Sequence, residues 1–210
     1  RRRLGRLRRE RLGLPFQGSY EAVSVLQDKE RYRSFLRDNG FNCPELHVFS
    51  SAEEAAASAD SLRYPVIAKP VDSAGSKGCS RVDGPEGLRE AVGYALSFSR
   101  DGRCIVEQFL EKSGDSSDAD AFLVDGEFRC VSFTSQLFDP GSPIPTRRPP
   151  TPCRFHARLG AGRARLRAPA PGRPPAPWER RLQRRDRVAT DGRAYIMESS
   201  PRGGGNRLCE

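Results

Sequence analysis

No apolar run in the 210 residues is long enough to cross a bilayer, which takes about 20 residues as a helix. The N-terminus does not read as a signal peptide. Six cysteines (Cys43, Cys79, Cys104, Cys130, Cys153 and Cys209) are scattered without a CxxC pair. That spacing argues against a zinc site or a disulfide frame, and for reduced thiols in a cytosolic protein. The two histidines, His47 and His156, lack a triad-like setting, so a hydrolase is not expected. Neither GxxxxGK[ST] nor GxGxxG is present.

Basic residues outnumber acidic ones, 36 to 27, and the formal charge is +9. The excess is local. Residues 1–10 hold six Arg and one Glu, and residues 140–187 hold 13 Arg and two acids, whereas residues 11–139 hold 14 basic and 21 acidic side chains. The patterned part of the chain is therefore acidic. A basic nucleic-acid-binding protein working through residues 140–187 would bind with steep salt dependence. It is disfavoured, because Arg alternates there with Pro rather than with aromatic stacking platforms.

Residues 20–139 read as alternating helices and strands. Asp28 caps a helix through about Asp38, with Tyr32, Phe35 and Leu36 on one face and Asn39-Gly40 as its stop. Leu46 to Phe49 is a strand, and Ser51 to Glu54 is a capping box opening a helix to about Ser61. Pro65 to Lys69 is a strand that stops at Pro70. Leu88, Ala91, Val92, Ala95 and Leu96 fall at helical spacing after Asp83. Cys104 to Phe109 is a buried-type strand. Ala121 to Val124 and Phe128 to Phe133 form a hairpin turned by Asp125-Gly126. Residues 140–187 show neither period and are dense in Pro and Arg. They read as a disordered basic linker or, preferentially, as GC-rich coding DNA translated out of frame, with the pattern resuming at Val188.

Four segments carry chemistry. Lys29 opens a helix, where an ammonium adds to the positive end of the helix dipole. Lys69 ends a strand, and the small-residue loop Asp72 to Gly78 follows, able to close backbone N–H groups over phosphate oxygens. Ile105 to Glu111 is a strand running into an acidic-apolar segment. Backbone groups at Glu107 and Leu110 could read a base edge there, beside Gln108, with Phe109 excluding water. Asp118 and Asp120 follow; they could accept a ribose hydroxyl or be hairpin-entry polar residues. Last comes Ile196 to Asn206, a strand that delivers Glu198 and Ser200 on one face and then Arg202 in a glycine-rich turn. Each segment alone could be a plain surface lysine, hairpin loop, buried strand or strand-to-turn junction.

In this order the segments resemble the ATP-grasp superfamily, in its carboxylate–amine ligase branch near the carbamoyl-phosphate synthase and biotin carboxylase types. The resemblance rests on Asp28-Lys29, Tyr64 to Gly78, Val106 to Glu111, Asp125-Gly126 and Met197 to Asn206. It implies an α+β fold in which two α+β subdomains clasp ATP, with the C-terminal half incomplete. The expected division is 1–19 as a remnant, 20–100 as the first subdomain and 101–139 as the start of the second. Residues 140–187 are the aberrant segment, and 188–210 the metal-binding strand and turn. By the same resemblance, Lys29 and Lys69 neutralise ATP phosphates and Ser73, Ala74, Gly75, Ser76, Lys77 and Gly78 form a lid. Glu107, Gln108, Phe109 and Leu110 form the adenine hinge, and Asp118 and Asp120 face the ribose. Glu198 with Ser200 binds Mg2+, and Arg202 and Lys69 stabilise the transferring phosphoryl group.

The implied activity is an ATP- and magnesium-dependent ligase joining a small carboxylate to an amine through an acyl-phosphate, without membrane or nucleic-acid partners. Three departures stand out. Ser200 replaces the usual Asn. The second metal acid has no assignable counterpart in Arg184-Arg185-Asp186-Arg187. The family's further N-terminal domain is lacking. A fragment that binds nucleotide without turnover is the competing expectation.

Overall fold

The computed structural model describes residues 11–12, 18–124, 127–136 and 180–201. Arg202 and the glycine-rich turn, Asp125-Gly126, residues 1–10 and all of 137–179 lie outside the described residues, as does any reading that depends on them. The architecture is α+β, as expected, and falls into two compact units, Val25–Glu111 and a unit formed by Arg1–Ser24 with Lys112–Glu210.

In the first unit, a four-stranded antiparallel sheet runs in the order β1 (Leu46–Phe49), β4 (Cys104–Gln108), β2 (Val66–Pro70), β3 (Ser80–Val82). Alternation divides its faces. Val66, Ala68, Cys104 and Val106 turn toward helices α3 (Ala52–Ala57) and α4 (Leu88–Phe98) and join Phe49, Leu62, Leu88 and Val92 in the apolar core. Ile67, Lys69, Ile105 and Glu107 alternate with them and turn the other way; Ile67 lies opposite Glu107 in the register and Lys69 opposite Ile105. A short helix, α1 (Tyr20–Leu26), begins where the Ser19 hydroxyl accepts from the Ala22 N–H. Helix α2 (Lys29–Asp38) follows it.

Local chemistry explains the helix limits. The Asp28 carboxylate accepts from the Arg31 N–H at 3.1 Å, which caps α2 as its sequence anticipates. The Ser51 hydroxyl caps α3 through the Glu54 N–H at 3.1 Å, while the Glu54 carboxylate reaches back to the Ser50 N–H at 3.0 Å. α3 is shorter than expected. It ends at Ala57, and a 3-10 turn, Ala59–Ser61, replaces its last part. Serines at 58 and 61 explain this, since both hydroxyls bond back to carbonyls at Glu54 and Ser58.

The second unit is a four-stranded antiparallel sheet ordered β6 (Glu127–Gln136), β5 (Ser116–Val124), β7 (Arg180–Val188), β8 (Ala194–Ser200). The two strands of the expected hairpin are paired, and each begins earlier than its apolar residues suggest. β7 corrects the reading of 140–187 as free of strand structure, because it starts at Arg180 and pairs on both sides. Its basic run hides the strand from pattern analysis. Neighbouring strands supply the missing counter-charges, with Asp118 and Glu198 meeting Arg185, while Asp186 meets Arg184 within β7.

Candidate functional site

The N-terminus of α2 is tied to the end of β2. The Lys29 N–H donates to the Val71 carbonyl at 2.9 Å. The Lys29 ammonium donates to the Pro70 carbonyl at 2.8 Å and the Ser73 carbonyl at 2.6 Å. Arg103 braces the same helix start, binding Asp28 at 3.1 Å and also Glu30 and Asp101. Lys29 thus brings its charge to the residue that follows Lys69.

Lys69 belongs to a buried three-residue ion cluster. Its ammonium bonds Glu107 Oε1. From α2, Arg33 Nε donates to Glu107 Oε2 at 3.0 Å and Arg33 Nη2 to Oε1 at 3.4 Å. Lys69 is the most open member at 11% exposure, against 3% for Arg33 and 2% for Glu107. Burial pushes the Glu107 carboxyl up, but Lys69 and Arg33 outweigh it and hold it down at about 2. Two cations on one carboxylate leave the cluster with one net positive charge. Arg33 is the site residue that sequence reading misses. Its position held a signal, since it lies one turn after Lys29, next to Tyr32 on the buried side of α2.

The loop after β2 has a fixed base and an open tip. Asp72 accepts from the Ser99 hydroxyl at 3.3 Å and the Arg100 N–H at 3.2 Å. The Ser73 hydroxyl donates to the Lys77 carbonyl at 3.0 Å. Ala74, Gly75, Ser76 and Lys77 are exposed, and Gly78 is buried. Gly75, Ser76 and Gly78 have positive φ. At Gly78 (φ 72°) a Cβ would fall 2.8 Å from the Pro70 ring and 3.0 Å from Phe98, so only glycine fits this close approach.

The segment expected to form a hinge continues from β4. Glu107 lies within the paired strand, opposite both Leu46 and Ile67, with its carboxylate in the ion cluster. Gln108 is exposed, and its N–H donates to the Glu45 carbonyl at 2.9 Å. The Phe109 N–H donates to the Pro65 carbonyl at 2.9 Å, and the Arg81 guanidinium stacks 4.4 Å from the Phe109 ring centroid. Leu110 is buried. Lys29, Lys69, residues 73–78 and residues 107–110 therefore all belong to the first unit.

The remaining expected residues belong to the second unit. Asp118 and Asp120 are both buried on β5. Arg185 crosses the sheet between Asp118 (3.3 Å) and Glu198 (2.9 Å), in line with the register. Glu198 is 57% exposed and Ser200 half-buried. Asp186, the acid left unassigned by sequence, is 3% exposed; its Oδ2 accepts from Arg184 at 2.9 Å and its Oδ1 has no partner. Burial and the neighbouring Asp118 raise its affinity for a proton, and Arg184 opposes them. No group of three or more His, Cys, Asp or Glu able to hold a metal occurs among the described residues. One exposed carboxylate and a nearby hydroxyl still fit magnesium, which keeps water and phosphate oxygens as its other ligands.

Residues 28–115 match the protein family described as "Carbamoyl-phosphate synthase L chain, ATP binding domain". The carbamoyl phosphate synthase large chain of Thermotoga neapolitana is 32% identical over 111 residues, which is 52% of this chain and 10% of that protein. The chain thus spans about a tenth of the length of that relative. Among solved structures, the L-amino acid ligase of Bacillus licheniformis superposes with a TM-score of 0.64 at 24% identity, covering 94% of this chain and 45% of the other. The biotin carboxylase domain of the Hydrogenobacter thermophilus 2-oxoglutarate carboxylase, solved with MgADP, ADP and bicarbonate, gives 0.67 at 16% identity, covering 98% and 46%.

Proposed function

We propose that this chain carries an ATP-grasp carboxylate–amine ligase-like domain that binds ATP with magnesium and converts a small carboxylate into an acyl-phosphate for capture by an amine. One observation carries the proposal. The Lys29 ammonium reaches the carbonyl of Pro70, directly after Lys69, so two separated positions in the sequence put positive charge at the mouth of one glycine-containing loop. The Lys29 ammonium donates to two backbone carbonyls here, and in the Lys69 cluster two cations share the Glu107 carboxylate. A polyphosphate is the ligand such a mouth suits.

In this reading a substrate carboxylate oxygen forms a bond to the γ-phosphorus, and the bond to the β,γ-bridging oxygen breaks, releasing ADP. The amine then attacks the acyl carbon, inorganic phosphate departs, and the amine's proton passes to solvent. Lys29 and Lys69 hold the phosphates and offset the charge that builds on them. The backbone of residues 73–78 covers the oxygens, and the 107–110 segment takes the base. The resemblance gives Asp118 and Asp120, both buried here, to the ribose. Glu198 and Ser200 would hold magnesium, which supplies charge neutralisation at the phosphate oxygens. Arg202 completes the set by sequence. Calorimetry with Mg-ATP, followed by ADP release across a panel of carboxylates and amines, tests the proposal. Absence of ATP binding at millimolar concentration would overturn it.

A second reading, nucleotide binding without turnover, draws on the Glu198 carboxylate being engaged by Arg185. It predicts ATP binding with no ADP release for any substrate pair.

A further inference from the structure

Arg33 has no place in the expected set of ATP-binding residues, yet it is the most deeply buried cation in the first unit. At 3% exposure it cannot meet a ligand arriving from solvent. It donates to Glu107 twice, through Nε at 3.0 Å and Nη2 at 3.4 Å. Glu107 in turn is the carboxylate that holds Lys69. Lys29 and Arg33 lie one turn apart on α2, so one helix sends one cation to the loop carbonyls and another to the Lys69 anchor.

We infer that Arg33 is a positioning residue for Lys69: by taking a share of the Glu107 carboxylate from the buried side, it leaves the Lys69 ammonium with charge to offer a phosphate. The reason is electrostatic. A lysine paired alone with a buried carboxylate is neutralised by it, and an incoming anion must compete with that carboxylate at short range. A second buried cation changes the balance from zero to one positive charge and fixes the carboxylate by a two-pronged contact. Lys69, the most open of the three, is where that surplus reaches a ligand. This inference rests on the nucleotide reading above for the identity of the anion, but not for the Arg33–Glu107–Lys69 coupling itself.

The test uses the full chain with Arg33→Met and Arg33→Lys. Affinities for Mg-ATP, inorganic tripolyphosphate and adenosine are measured together, and the Glu107 carboxyl is titrated by carbon-13 NMR. Arg33→Met should weaken both polyphosphates about tenfold or more while adenosine affinity stays unchanged. The Glu107 carboxyl should move up from about 2 toward its ordinary value. Arg33→Lys should recover most of both effects. If Arg33→Met does not fold, Arg33→Gln, which keeps a donor to Glu107 and removes only the charge, takes its place. Equal losses for polyphosphate and adenosine, or an unmoved Glu107 titration, would overturn the inference. A wild-type chain that binds tripolyphosphate but not ATP would sink the nucleotide reading alone, and the Arg33 comparison would still decide the coupling.

Discussion

At the scale of single residues, burial decides which charges can be removed. Lys69→Ala leaves Glu107 paired with Arg33, so the fold should survive with unchanged circular dichroism while ATP affinity falls at least about tenfold. Retained affinity would remove Lys69 from the site. Glu107→Gln does the opposite, leaving buried Arg33 and half-buried Lys69 without their anion. A stability loss of about 3–5 kcal/mol is expected, read as the shift in a urea unfolding midpoint. Ser200→Asn adds a better oxygen ligand beside Glu198 and should tighten magnesium-dependent ATP binding. An identical magnesium dependence would place the metal elsewhere. Lys29 and Lys69 were legible in the sequence because each occupies a marked position, a helix start and a strand end. Arg33 was not, because an arginine inside a helix reads as solvated until its carboxylate partner, 74 residues away, is known.

At the scale of elements, the end of β2, the loop and α4 form one packing unit around Gly78. Gly78→Ala would force a left-handed residue against both Pro70 and Phe98, and should lower stability by about 1–3 kcal/mol with a matching fall in Tm. Gly75→Ala has open space around it and should cost less, about 1 kcal/mol, from its φ alone. Comparing the two melting temperatures separates crowding from conformation. Helices α2 and α4 and strands β1, β2 and β4 were readable, since capping residues and apolar spacing mark them locally. Strand β7 was not. A strand written Arg180–Val188 in mostly charged letters is stable only because β5 and β8 flank it, and that information is not local.

At the scale of the whole molecule, the acid limb of stability follows from Glu107. Its carboxyl in the folded chain lies at about 2, below the ordinary 4.5. The group therefore stabilises the fold above its ordinary value, and that contribution is lost as pH falls from about 4.5 toward 2. The effect is about 3 kcal/mol for a shift of this size. Thermal melts across that window should fall steeply, and the slope should flatten in Glu107→Gln. The sheet of the second unit carries a different kind of constraint. Its β7–β8 ladder slips one step between Arg185 and Asp186, so Ile196 faces Asp186 while Glu198 faces Arg185. Met197 is the extra link. It takes up the one-residue excess of β8 over β7, so that Ile196 stays on the buried side with Asp186 and Glu198 on the open side with Arg185. Deleting that one methionine would restore strict alternation. Glu198 would still lie opposite Arg185, so the outward reach of the only acid in this last described strand is set by its pairing and survives the loss of the extra residue.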